Sequence, residues 1–243
     1  MIATMDDPAE RPAPGTLALV QALLNAPEHE PTDHDLALGD ELRRLSATGE
    51  SQAGLAARFG ISQQMVSAAL RERRLIGPRG YSLATPSTTA AWLGAQGFDP
   101  SPAGVSPTEH RDLLRLRQAL LALTVANNGA NLAPSAIEAL NAVAAARSFA
   151  LEFDARGEGS LKPSSSGAAG YIETVLLAVH QAQANGTWPR LKACPAEHCQ
   201  HVFYDASKNR TATWCSMAIC GNRTKVRNYQ QRRRETARTR RTT

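Results

Sequence analysis

The chain has 243 residues, 42% of them hydrophobic and only 5% aromatic, with a formal net charge of +5. That apolar content supports a packed core and excludes a disordered chain, while no apolar run approaches the roughly 18 residues of a membrane span. The charge is divided, with 13 Lys and Arg against 3 Asp and Glu in residues 186–243, and 14 against 19 in residues 1–185. An acidic body with a basic C-terminal module points to an anionic partner for that end, nucleic acid first.

Residues 1–15 read as a flexible, acidic, proline-rich tail with no basic opening and no apolar segment. No secretory signal is expected, and a cytoplasmic location is. Leu17–Leu24 (LALVQALL) reads as a buried helix. Pro27–Asp35 (PEHEPTDHD) is a polar connector whose His29, Asp33, His34 and Asp35 suit a solvated loop better than a metal site. A helical block from about Leu36 to Leu75 follows, then the turn-rich GPRGYSLATPS. Ser87–Gln96 reads as a short helix around Trp92 and Leu93. Ser106, with Pro107 and Glu109 behind it, has the pattern of a capping box and opens a helix that runs to about Asn128. Pro134–Arg147 is an alanine-rich helix, Phe149–Gly157 alternates as a strand or hairpin would, and KPSSSG is a turn. Tyr171–Gln183 closes the body as a helix, with His180 a packed or surface histidine rather than a base. The whole predicts a mainly α fold: a helical domain with an inserted helix-turn-helix, then a small zinc module made of a β-hairpin and a basic helix.

Inside the helical block, Gln52–Arg71 (QAGLAARFGISQQMVSAALR) has the spacing of a helix-turn-helix. Ala56 provides the small residue where two helices cross, and Gly60 the positive φ of the turn. Leu55, Phe59, Ile61 and Val66 occupy the core positions, Leu70 extends the apolar face, and Ser62 caps the second helix. Gln63, Gln64 and Ser67 then stand where base edges are read, Gln suiting the donor and acceptor of adenine. Arg71, Arg73 and Arg74 follow as phosphate contacts, and RLIGPRGYSL is placed to form a wing. An ordinary helical hairpin is the alternative.

Cys194 and Cys199 form one C-x4-C pair, Cys215 and Cys220 a second, and these are all the cysteines of the chain. Four thiolates from two short-spaced pairs make a closed tetrahedral shell for one structural Zn2+, which leaves no open position for catalysis. His198 and His201 lie beside the first pair as alternative ligands, but the cysteines suffice. Phe203, Tyr204 and Trp214 are candidates for a miniature core that the metal completes. Gly221 is expected to allow a tight backbone after Cys220, and Asn222 to cap a helix from about Arg223 to Arg234. Val226 and Tyr229 share a face of that helix, while Arg223, Lys225, Arg227, Arg232, Arg233 and Arg234 spread around the rest as contacts for DNA phosphates.

Leu191–Arg234, LKACPAEHCQHVFYDASKNRTATWCSMAICGNRTKVRNYQQRRR, resembles the CGNR zinc finger of bacterial proteins, which takes its name from the residues standing here as Cys220, Gly221, Asn222 and Arg223. The resemblance implies that Cys194, Cys199, Cys215 and Cys220 are zinc ligands. TLALVQALLNA, LATPSTTAAWL and RDLLRLRQALLAL are similar, in that order, to the helical ABATE domain that accompanies this finger in stress-linked transcription regulators. About 50 residues separate the first helix from the tryptophan helix where such domains have a short connector, and this insertion holds the helix-turn-helix pattern. The expected organisation is a tail (1–15), an ABATE-like domain (16–185) interrupted by the insertion (36–80), the finger (186–234) and a basic tail (235–243). The function expected is binding of double-stranded DNA by a transcription regulator, with a helical body that holds a small-molecule signal or a homodimer surface, and with neither membrane attachment nor enzymatic activity. An RNA-binding or ribosome-associated factor and a protein–protein adaptor are the alternatives.

Overall fold

The computed structural model describes residues 12–29, 33–61, 66, 69–70, 81–196 and 199–239, the side chains of 33–36 and 234–239 excepted. The described residues are mainly helical. In chain order they form α1 (Leu17–Asn25), α2 (Asp33–Ala47), α3 (Gln52–Phe59), α4 (Pro86–Ala95), α5 (Pro107–Ala126) and α6 (Pro134–Ala145). Then come β1 (Phe149–Phe153), β2 (Gly159–Pro163), α7 (Gly167–Ala184), β3 (Leu191–Ala193), β4 (Val202–Tyr204) and α8 (Asn222–Thr239). β1–β2 and β3–β4 are separate antiparallel hairpins.

The main core gathers around α5 and α7. α5 starts at the expected capping box: Ser106 Oγ accepts from Glu109 N at 3.2 Å and Glu109 Oε2 accepts from Ser106 N at 2.9 Å. Its Leu113, Leu116, Leu120 and Leu123 recur at helical spacing and are all buried. α7 buries Tyr171, Ile172, Val175, Ala178, Val179 and Ala182 against them. The Tyr171 ring meets Trp92 and Phe98 edge-on at 5.4 Å and 5.0 Å, and its hydroxyl donates to Leu19 O at 2.8 Å. One aromatic thus ties α1, α4 and α7 together. α7 begins at Gly167; the sequence reading starts it later because GAAG has low helix propensity. Packing is what requires the glycine: a Cβ at Gly170 would stand 2.4 Å from Ser165 O. α4 also has a cap that the sequence reading missed, a reciprocal pair between Thr85 and Thr88.

Leu42, Leu45, Leu55, Ala56, Val66 and Ala69 form a second core, with Leu38, Phe59, Ile61 and Leu70 packed against it. α3 is capped by Ser51, which accepts from Gly54 N at 3.1 Å, and ends at Gly60 with φ 65° and ψ 22°. That is the left-handed conformation the turn was expected to need. The chain before and after this unit meets where Leu83 N donates to Pro27 O at 2.7 Å. His110 Nε2 lies 3.0 Å from Leu83 O. Arg117, only 2% exposed, holds the C-terminal end of α1. Its guanidinium donates to the α1 C-terminal carbonyls Leu23 O (3.1 Å), Leu24 O (3.2 Å) and Ala26 O (3.4 Å), and pairs with Glu28. Burial lowers the Arg117 pKa to about 10, so it stays charged near neutrality and complements the negative end of the α1 dipole.

Candidate metal centre and nucleic-acid interface

The C-terminal module is built on β3–β4, with Leu191 opposite Tyr204 and Ala193 opposite Val202. Leu191, Ala193 and Val202 belong to the main core, so the module grows out of the helical body rather than hanging from it. Three asparagines join the two. Asn25 accepts from Val202 N at 2.9 Å and donates to Val202 O at 2.8 Å. Asn127 donates to Trp188 O (3.0 Å) and Leu191 O (2.9 Å), and Asn128 to Ala193 O (3.0 Å) and Thr213 O (2.8 Å).

β3 and β4 carry the first cysteine pair at their open end, where Cys194 N donates to His201 O at 2.9 Å and Cys199 N to Ala196 O at 2.9 Å. Gln200, directly after Cys199, has φ 49°, an uncommon left-handed value for a residue with a side chain. The second pair is positioned by a buried ion pair. Lys192 Nζ donates to Asp205 Oδ2 (2.8 Å), Arg210 O (2.8 Å) and Ala212 O (3.0 Å), filling all three donor sites. Asp205 also accepts from Ser207 N (3.0 Å), Ser207 Oγ (2.6 Å) and Ala212 N (3.0 Å). Burial works to raise its carboxyl, but the hydrogen bonds from Lys192 and Ser207 outweigh it and hold the group below the usual range. Arg190 donates to Asp205 O and Ser207 O from the outside. The loop that presents Cys215 is therefore rigid although it has no regular structure.

The ligand atoms of Cys194, Cys199, Cys215 and Cys220 all lie within 4.8 Å of one another. Three sulfur pairs are 3.6–3.7 Å apart: Cys199–Cys215, Cys215–Cys220 and Cys220–Cys199. Zn–S bonds of about 2.3 Å at tetrahedral corners separate sulfurs by about 3.8 Å, so the donor set and its spacing fit one zinc ion. No disulfide joins any of the four cysteines. Cys194, Cys199 and Cys220 donate to or accept from Cys215, and these contacts, with burial, push its thiol up; Cys194, Cys215 and Cys220 in turn hold the Cys199 thiol down. A divalent cation removes this conflict by favouring the thiolate at every corner. Phe203, Ala196, Ala212, Trp214 and Ile219 pack around the sulfurs. Tyr204, expected in this small core, packs against the main one instead. His201 is buried but outside the group of four, and His198 lies outside the described residues.

Cys220 sits in a wide π-turn, Met217–Gly221, that runs directly into α8. Asn222 consequently lies inside the helix, with φ −64° and ψ −42°, and is not its cap; its Nδ2 donates to Ala218 O at 3.3 Å. Gly221 leaves room for its neighbours rather than supplying backbone freedom: a Cβ there would be 2.4 Å from Met217 Sδ and 3.0 Å from Trp214 Cδ1, so the half-exposed Met217 would have to turn aside. Of the expected phosphate contacts, Arg223 and Lys225 lie in the first turn of α8, and Arg227, Arg232 and Arg233 further along it are exposed. The Arg234 side chain lies outside the described residues, as do Gln63, Gln64, Ser67, Arg71, Arg73 and Arg74, the Ser62 cap and most of the expected wing. Val226 and Tyr229 are more than half exposed, and Arg233 stacks over the Tyr229 ring at 5.9 Å. The Lys192–Asp205 pair and the three bridging asparagines escaped sequence reading, because their partners are distant in the chain and no local spacing marks them.

Residues 190–233 match the model of the CGNR zinc finger, and residues 65–184 match that of ABATE, described as a putative stress-induced transcription regulator. Among curated proteins none matches the chain. No helix among the described residues is long and apolar enough to cross a membrane.

Proposed function

We propose that this chain, in which an ABATE domain precedes a CGNR zinc finger, is a cytoplasmic DNA-binding transcription regulator that acts by binding and not by catalysis. The observation that carries this reading is the continuity from the fourth cysteine into a basic helix. Cys220 and α8 share one unbroken run of helical backbone, so a metal ion at the thiols fixes where the arginines point. A rigid cationic helix suits a phosphate backbone, and its contacts make affinity fall steeply with salt.

The inserted unit supplies the second contact. Its small core, its serine-capped α3 and the left-handed Gly60 are the features a helix-turn-helix needs. In this reading Gln63, Gln64 and Ser67 meet base edges in the major groove, and Arg71, Arg73 and Arg74 hold the flanking phosphates. The domain limits follow: an ABATE-like body over 16–185, interrupted by the reader over 36–80, the finger over 186–234 and a basic tail over 235–243. Cys194, Cys199, Cys215 and Cys220 each give one ligand to a single structural Zn2+. The body is the place for a small-molecule signal.

The test is selection of fragmented genomic DNA by the zinc-loaded protein at near-physiological salt, followed by sequencing. An enriched motif is the expected result. Binding without enrichment removes the base-reading role of the inserted unit. Preference for structured RNA replaces DNA as the partner.

A further inference from the structure

Leu151 and Phe153 are the most exposed large hydrophobic residues among those described, at 60% and 68%, with Leu161 at 42% opposite Leu151. All stand on the β1–β2 hairpin. Side chains alternate along a strand, so Phe149, Leu151, Phe153, Leu161 and Pro163 share one face.

The two edges of this hairpin are not equivalent. Asp154 N donates to Glu158 O at 3.1 Å, just beyond the last ladder pair. Bonded and non-bonded pairs alternate from there. Glu152–Ser160 and Ala150–Lys162 are therefore bonded pairs, whereas Phe149, Leu151 and Phe153 turn their N–H and C=O groups away from β2. By the same parity Pro163 faces its nitrogen outward, so the outer edge of β2 lacks a donor there. The β2 end is also tied to the body, since Glu173 of α7 accepts from Ser164 N (2.8 Å), Ser165 N (2.9 Å) and Ser165 Oγ (2.8 Å). Among the described residues nothing pairs with the outer edge of β1, which makes it a template for another strand.

We propose that β1 pairs with the β1 of a second copy of this chain, antiparallel about a two-fold axis through Leu151, forming a four-stranded sheet. The strand FALEF suits its own reverse: its apolar positions are symmetric about the central leucine. Leu151 then faces the partner's Leu151, and Phe149 faces the partner's Phe153. Every outward N–H and C=O of these residues is satisfied. The charges on the far face balance: the two Glu152 side chains become diagonal neighbours about 7–8 Å apart at Cα, each diagonal to its own chain's Lys162 and about 10 Å across from the partner's Lys162. An edge contact of this kind belongs to the small, transient class of interface, so a weak monomer–dimer equilibrium is expected.

The experiment is sedimentation equilibrium of the zinc-loaded full chain up to about 200 μM, which spans the affinities expected of small interfaces. It is independent of DNA binding. The wild-type protein is expected to be a monomer–dimer system. Leu151→Pro removes only an outward N–H and leaves the β1–β2 ladder intact, so it should weaken the dimer by about tenfold or more without changing the melting curve. Leu151→Cys should form a dimer linked by a disulfide under mild oxidation, because the two cysteines face each other on the axis. Leu161→Cys should not, because it lies one strand farther out on each side. A protein that stays monomeric throughout overturns the proposal, and so does a dimer that tolerates Leu151→Pro and gives no crosslink at Leu151→Cys. Should Leu151→Pro unfold the hairpin, the crosslink decides alone.

Discussion

Asn25 treats Val202 as a neighbouring strand would: its carboxamide accepts from the Val202 N–H at 2.9 Å and donates to the Val202 carbonyl at 2.8 Å. A side chain at the end of α1 thus satisfies both main-chain groups of a residue in the metal module. Asn25→Ala leaves the Val202 N–H unpaired in a partly buried place and the Val202 carbonyl with only Gln21 Nε2, at 3.3 Å. The expected loss is about 1–3 kcal/mol in a denaturant melt, with metal retained. An unchanged midpoint would show that water replaces the amide at no cost.

Cys215→Ser should release the metal and unfold the C-terminal module, because folding and metal binding are coupled in so small a unit. Leu191, Ala193 and Val202 of the module are shared with the main core, so the body should keep most of its helical signal but melt at a lower temperature. Stoichiometric zinc by absorption spectroscopy, together with an unchanged melting curve, would sink the four-thiolate assignment.

Asp205 gives a prediction with a sign. Its folded pKa is lowered, so its contribution is fully present above the unfolded Asp value of about 3.9 and is lost as pH falls through the folded value. Asp205→Ala removes the carboxylate at every pH and strands the Lys192 ammonium among carbonyls. A cost of about 3–5 kcal/mol at pH 7 is expected, as for other broken buried pairs. The difference between mutant and wild type should shrink in acid, where Asp205 is protonated in both folded and unfolded chains. A difference that stays constant down to pH 2 would contradict this.

The two proposed DNA contacts should respond differently to mutation. Gln63→Ala with Gln64→Ala is expected to weaken specific binding by about 1–3 kcal/mol per lost base contact and to spare non-specific binding. Arg232→Gln with Arg233→Gln should weaken binding to all sequences alike and flatten the salt dependence by about one unit of slope for each lost phosphate contact. Equal loss on every sequence from the glutamine pair would mean that those residues do not read bases.

How far the sequence was legible depended on the range of the interaction. Local signals read correctly: the capping box at Ser106, the helical leucine spacing of α5, the left-handed Gly60 and the paired cysteines all act within a few residues. The start of α7 was misplaced because Gly170 is selected by the Ser165 carbonyl and not by helix propensity. Asn222 has the composition of a cap, but the π-turn that carries Cys220 had already begun the helix. Lys192 carries no local mark in the sequence. Its burial against Asp205 depends on a loop closing over it, which no periodicity encodes. The strand β2 was hidden behind the turn residues KPSSSG, although Pro163 is tolerated there because its nitrogen faces outward.

The hydrogen bond between Pro27 and Leu83 has a consequence for how the chain can be cut. Because the backbone on either side of residues 28–82 already meets there, a shortened chain joined across this point should keep α1 packed on α5 and α7. On the proposed function, such a chain would lose base reading while keeping the metal module, so the two DNA contacts become separable by deletion.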